Sequence, residues 1–203
     1  LQEAKNLVDG GVKELILVAQ ETTLYRMDLY GEKQLPKLLM ELCKISGLYW
    51  IRILYCYPEE ITDELIDVIK TEEKICNYLD IPIQHASDSI LKKMGRKTNQ
   101  EELRNIIQKL RSRIPDICIR TTLISGFPGE TKEDHEELLD FVNEMEFDRL
   151  GVFTYSPEED TPAAIMDKKD EKDIKIERKN EIMELQQEIA FAQKDTKKKK
   201  KVI

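Results

Sequence analysis

Short apolar runs recur along the chain at intervals that leave room for a helix between each pair. "ELILVAQ" (14–20), "WIRILYCY" (50–57), "YLDIPI" (78–83), "ICIRTTLI" (117–124) and "RLGVFTY" (149–155) read as buried strands. Between them the period lengthens to that of a helix. Leu1, Ala4, Leu7 and Val8 mark one amphipathic face, and Leu35, Leu38, Leu39, Leu42 and Ile45 mark another after Gly31. Ile61, Leu65, Ile66 and Ile69 follow Pro58, with Thr62 placed near an N-cap. A short segment at Ile90, Leu91 and Met94 precedes a longer one with Leu103, Ile106, Ile107 and Leu110. Leu138, Phe141, Val142 and Met145 follow Thr131, whose side chain can cap the helix together with Asp134 three residues on. "EEDTPAA" reads as a loop, and 171–193 as one charged amphipathic helix with Ile182, Leu185 and Ile189 on a face.

Strands alternating with helices in this way predict an α/β fold of parallel strands with right-handed crossovers. A barrel and an open doubly wound sheet both satisfy the pattern. No G-x-G-x-x-G follows the first strand, so the dinucleotide fingerprint is absent.

Charge and cysteine spacing narrow the chemistry. With 40 acidic against 32 basic residues the net charge is -8, which disfavours a nucleic-acid backbone as a partner of this piece. No apolar run approaches the roughly 18 residues of a membrane span and no signal-peptide pattern is present, so a cytoplasmic location is expected. Cys43, Cys56, Cys76 and Cys118 have no metal-ligand spacing and read as small core residues. The chain starts at Leu1 without a methionine and carries five lysines at Lys197–Lys201, which read as a solvated tail.

In parallel α/β folds ligands meet the carboxyl ends of the strands. Those ends deliver Gln20, Glu21, Thr22 and Thr23, then Tyr55, Tyr57 and Glu59. "IPIQHAS" delivers Gln84, His85 and Ser87, followed by Met94, Gly95 and Arg96. The fourth run delivers Arg120, Thr122 and the turn "GFPGET", and the fifth delivers Tyr155, Ser156 and Glu159. His85 fits a general base or a hydrogen-bonded rim histidine, and Glu21 and Glu59 are candidate acids. Arg120, inside an apolar strand, needs a carboxylate from a ligand or from the protein.

The stretches "VAQETTLYRMDLYG", "WIRILYCYPEEITDELI", "YLDIPIQHASDSILKKMGRKT", "IRTTLISGFPGET" and "LGVFTYSPEEDTPAA" together resemble the methylthiotransferase branch of the radical S-adenosylmethionine enzymes. Within that branch they are most similar to the members that modify an aspartate of a small-subunit ribosomal protein. Relatives that modify an adenosine in tRNA share the GFPGET loop and differ at "AQETTLY" and "IPIQHAS". That tRNA chemistry, or a non-catalytic α/β binding module, is the competing reading.

The resemblance implies a partial radical-SAM (β/α) barrel over 1–160 whose first strand is missing. A loop and C-terminal helix over 161–193 would lead toward an absent small β domain, with a lysine-rich tail over 194–203. It further implies a methylthiotransferase using S-adenosylmethionine and [4Fe–4S] clusters, a ribosomal-protein substrate and an electron donor. The cluster-binding C-x-x-x-C-x-x-C loop is not in this sequence, and its own four cysteines do not match that motif. This chain alone is therefore expected to be inactive. What carries over is a cofactor-holding wall. Gln84, Ser87 and Arg96 would meet the methionyl end, Arg120 and Thr122 would lie on the next strand end, and Ile124 with Phe153 would line the adenine slot.

Overall fold

The computed structural model describes residues 1–166 and 172–200. Residues 201–203, the end of the expected lysine tail, lie outside them. An opening helix α1 (Gln2–Asp9) leads to strand β1 (Glu14–Leu17), then α2 (Met27–Tyr30) and α3 (Leu35–Cys43). Next come β2 (Trp50–Ile53), α4 (Asp63–Thr71), β3 (Ile75–Asp80), α5 (Asp88–Lys93) and α6 (Gln100–Arg113). The chain continues through β4 (Cys118–Ser125), α7 (Lys132–Met145), β5 (Arg149–Thr154) and the long α8 (Lys172–Lys200). The strands follow chain order, β1-β2-β3-β4-β5. The pairs β1–β2, β2–β3 and β4–β5 are parallel, so the expected α/β architecture holds. Among the described residues no helix is long and apolar enough to cross a membrane.

The chain divides into two compact units. One holds Leu1–Pro82 with Gln108–Ile119, the other Ile83–Ile107 with the chain from Arg120 on. In the first, Leu35 and Leu39 of α3, Leu65, Ile66 and Ile69 of α4 and Ile51 and Ile53 of β2 are almost fully buried. α4 starts where Thr62 accepts a hydrogen bond from the Leu65 amide, the N-cap that the sequence pattern places there.

In the second unit the core is built from Leu123, Leu138, Phe141, Val142, Phe147 and Ile182. Phe141 and Phe147 have ring centroids 6.5 Å apart. Ile182 and Ile189 of α8 are buried while Leu185 is half-buried, so the expected apolar face of that helix exists. It is completed by Gln186, whose amide donates to the Phe147 carbonyl at 2.7 Å.

Two expectations need correction. The third strand occupies Ile75–Asp80 rather than 78–83. Ile81 and Ile83 are buried and apolar, which suggested a strand, but Pro82 has no amide to give a ladder and the chain departs there. The strands are also not uniformly buried. In β4, Ile119, Thr121, Leu123 and Ser125 face inward, while Cys118, Arg120, Thr122 and Ile124 are half-exposed. In β1, Ile16 is more than half exposed although Leu15 is buried. The apolar content of these runs exceeds their burial because one face of each strand stays open.

The start of α7 is the most heavily tied helix end. Thr131 accepts from the Asp134 amide, and Asp134 returns the contact by accepting from the Thr131 amide at 2.9 Å, a complete capping box. Asp134 Oδ1 also accepts from the hydroxyls of Ser87 and Ser89, both at 2.6 Å, which links α7 to the start of α5. Replacing Thr131 with alanine should cost about 1 kcal/mol in urea unfolding. Asp134→Ala should cost about 2–4 kcal/mol, because it also strips the acceptor from two hydroxyls, one of them buried.

Candidate functional site

At the end of β3 the backbone turns through a residue that ordinarily avoids this conformation. Gln84 has φ 71°, in the left-handed region, without being a glycine. Its amide donates to the Thr122 carbonyl at 3.0 Å, and its carbonyl accepts from the Ile124 amide at 2.8 Å. Gln84 therefore sits beside Leu123 as an isolated parallel bridge and locks the loop against β4. On the other side of β4, the register pairs Arg120 with Arg149, Thr122 with Gly151 and Ile124 with Phe153. Because side chains alternate along a strand, these residues share one face. A side chain at Gly151 would meet nothing within 4 Å, and Phe153 is 64% exposed, so the face is open above β5.

The candidate residues thus fall into two groups. Gln84, Thr122, Ile124 and Phe153 meet near the carboxyl ends of β4 and β5. Arg120 shares their face and lies two residues before Thr122, roughly 7 Å deeper along the strand. Ser87 and Arg96 belong to the α5 segment. Ser87 is buried, and its hydroxyl is given to Asp134; Arg96 is half-buried just after Gly95.

The loop after β4 is held by a buried carboxylate. Glu130, its side chain fully buried, accepts from the Gly126 amide at 2.7 Å and the Phe127 amide at 3.2 Å. Arg178 of α8 donates to Glu130 Oε1 at 3.0 Å. Burial raises the Glu130 carboxyl above the usual range, against the lowering influence of Arg178 and the two amides. His135 stands next to this group, with Nδ1 3.9 Å from Glu130 Oε1 and Nε2 2.6 Å from Glu181 Oε2. α8 makes further ties. Ser125 donates to the Lys175 carbonyl at 3.0 Å, and the Lys175 ammonium lies over the Tyr155 ring at 5.1 Å. Gly126, at φ 71°, has no room for a side chain, since a Cβ there would lie 2.2 Å from the Lys175 stem.

His85 is the other buried ring in this unit. The Ser87 amide donates to its Nδ1 at 3.0 Å, so the neutral ring carries its proton on Nε2, which lies 3.8 Å from Glu130 Oε2. Burial pushes the His85 pKa down to about 4. Burial alone would raise Asp134, but the Ser87 and Ser89 hydroxyls and the Thr131 amide outweigh it and hold the carboxyl at about 2.

In the first unit the rim residues serve one another. Glu21 accepts from the Thr23 amide and hydroxyl and, at 2.8 Å, from the Tyr57 amide; burial raises its carboxyl. Thr22 is buried and accepts from the Ala19 amide at 3.2 Å. The expected acids Glu21 and Glu59 thus belong to this unit.

The model for the radical SAM superfamily matches residues 1–142. The chain belongs to the radical SAM superfamily. It is 68% identical over 191 residues to a ribosomal protein uS12 methylthiotransferase RimO from Lachnoclostridium phytofermentans, covering 94% of this chain and 43% of that protein. A RimO from Clostridioides difficile is 53% identical over 197 residues, covering 97% of this chain and 44% of that protein. The chain thus spans less than half the length of these relatives, and its sequence is of the RimO type. Among solved structures, methylornithine synthase PylB superposes with a TM-score of 0.62 at 17% identity, over 92% of this chain and 53% of PylB. The methyltransferase TsrM from Kitasatospora setae, solved with cobalamin and a [4Fe–4S] cluster, gives 0.62 at 18% identity, over 81% of this chain and 32% of TsrM. Both support the radical-SAM fold.

A [4Fe–4S] cluster does not fit the cysteines present. All four are free and sit on separate segments, at the end of α3, after β2, and within β3 and β4. Burial raises the Cys43 thiol to about 11 and raises Cys56 further, where the ligand form is a thiolate. Among the described residues no three His, Cys, Asp or Glu side chains are grouped to hold a metal. The open β4–β5 face carries Ile124, Phe153 and the Thr122 hydroxyl beside the bare Gly151.

Sequence reasoning missed Glu130, Arg178 and the His135–Glu181 contact. The legible signal was Glu130 closing the GFPG turn, with Lys175, Arg178 and Glu181 at three-residue spacing on α8.

The His85 shift gives a signed expectation. A ring with a folded pKa of about 4 and an unfolded one of about 6.5 takes up a proton on unfolding, so its stability contribution is complete above about pH 6.5. It is lost as pH falls from there toward 4, by an amount on the order of 3 kcal/mol. Glu130, raised by burial, slopes the opposite way. The comparison of wild type with His85→Gln isolates the histidine: the difference in urea-unfolding free energy should shrink between pH 7 and pH 4, and a constant difference would contradict it.

Proposed function

We propose that this chain is the S-adenosylmethionine-holding part of a RimO-type methylthiotransferase, which adds a methylthio group to the β-carbon of an aspartate in ribosomal protein uS12. The observation that carries the reading is the strip in register on β4 and β5, set against the left-handed backbone of Gln84. Similarity to RimO proteins over nearly the whole chain supplies the reaction class.

In this reading Ile124 and Phe153 shelter the adenine, and Thr122 offers a hydroxyl beside the open space over Gly151. Gln84 fixes the height of the loop, while Arg96 and Arg120 are the cations for the carboxylate of the methionyl end. Ser87 acts one layer back, by anchoring α5 to Asp134. When bound and reduced by one electron, S-adenosylmethionine supplies hydrogen-abstraction chemistry. The electron donor is a separate partner, and a ribosomal-protein substrate implies work in the cytoplasm. The net charge of -8 favours this substrate over tRNA.

Calorimetric titration with S-adenosylmethionine should show binding weakened about tenfold or more in Arg96→Ala and in Arg120→Ala, as expected for losing a charge-assisted bond to a carboxylate. Unchanged affinity in both variants removes these residues from the site. A methylthiolation assay of the full-length protein on uS12 and on tRNA separates the two substrate classes.

Anaerobic reconstitution of this chain with iron and sulfide should leave no site-bound [4Fe–4S] centre. A paramagnetic resonance signal that disappears in Cys56→Ala or Cys118→Ala would contradict that.

A further inference from the structure

The face of α8 turned toward the β4–α7 loop carries three charged residues one turn apart. Lys175 covers Gly126, Arg178 meets Glu130, and Glu181 meets His135. None of these belongs to the strand-face site. Arg178 donates to Glu130 Oε1 at 3.0 Å and reaches the Glu130 carbonyl at 3.3 Å, while the other carboxylate oxygen takes the Gly126 and Phe127 amides.

We propose that Arg178 is a positioning residue that keeps Glu130 ionised and thereby fixes the Gly126 and Phe127 amides of the loop after β4. The inference rests on the proposed S-adenosylmethionine site, whose strand β4 runs directly into this loop.

The physical argument starts from the acceptor count. An ionised carboxylate accepts at both oxygens, so one can serve two amides while the other meets a guanidinium. A proton taken up at Oε1 leaves Oε2 a neutral carbonyl oxygen, so the charge-assisted bonds from the Gly126 and Phe127 amides weaken. A fully buried carboxylate stays ionised only where cations and donors outweigh its lost hydration. The groups around Glu130 divide by element. α8 contributes Arg178, and Glu181 behind His135. α7 contributes His135 at 3.9 Å, with Asp134 one residue before it. The segment after β3 contributes His85 at 3.8 Å, and α5 contributes Lys93, whose ammonium donates to the Gly129 carbonyl at 2.8 Å. The guanidinium is the cation in direct hydrogen-bond contact with the carboxylate. Its removal leaves two amides and buried rings to hold a charge, and Glu130 then takes up a proton.

The test is amide hydrogen exchange of the whole chain, expressed as protection factors at Gly126 and Phe127 between pH 6 and pH 8. Wild type should be flat across that range. Arg178→Met should lose about tenfold or more in protection at pH 6 and recover toward pH 8 as Glu130 ionises. Arg178→Lys should restore most of the protection at pH 6. Protection unchanged in Arg178→Met, or lost equally at every pH, overturns the proposal, because the second pattern would mean that α8 acts through packing alone. If Arg178→Met does not fold, Glu130→Gln against Arg178→Lys decides it: loss of protection in the first with retention in the second supports the proposal, and equal protection overturns it.

S-adenosylmethionine titration of the same variants keeps the two readings apart. Exchange that follows the expected pH pattern with unaltered affinity upholds Arg178 and refutes the loop as a cofactor wall. Affinity that falls in Arg178→Met while the amides stay protected refutes the positioning role and leaves the wall standing.

Discussion

A carboxylate buried beneath a glycine-rich turn organises the second unit. Glu130 takes its charge out of water, a cost that only direct partners can offset. It finds them in two amides of its own loop and in a guanidinium from a helix 48 residues away in sequence. The turn cannot relax without leaving amides unpaired. α8 cannot leave without exposing a buried charge. Thr131 begins α7 next to this carboxylate, so the loop, the helix after it and the last helix of the chain share one constraint.

The same constraint explains why the turn needs its glycines. Gly126 must take a positive φ and must also leave room for the Lys175 stem, two demands that no other residue meets together. A turn fixed by Glu130 on one side and by Lys175 on the other has little conformational freedom left. Preorganisation of this kind lowers the entropic cost of binding.

Much of the fold was legible because its signals are local. The short apolar runs and the helical spacing between them marked the alternation of strands and helices, and Thr62 and Thr131 marked two helix starts correctly. The error at the third strand came from reading apolarity as pairing. Ile81 and Ile83 are buried by packing, yet Pro82 breaks the ladder between them. Of the residues that strand-end logic named, Gln84, Thr122 and Ile124 are tied together by backbone hydrogen bonds. That logic could not show that Ser87 turns to Asp134, since that depends on the fold and on rotamer.

The contacts that hold the site in shape were illegible for a different reason. Arg178 pairs with Glu130 and Glu181 with His135 across more than forty residues, and a charged helix face reads as solvated until something is found against it. The cysteines show the converse. Their scatter along the sequence already argued against a cluster, and the structure adds the chemical reason. Cys43 and Cys56 are held as thiols by burial, whereas iron requires thiolates. Protonated, dispersed thiols do not suit an iron–sulfur cluster.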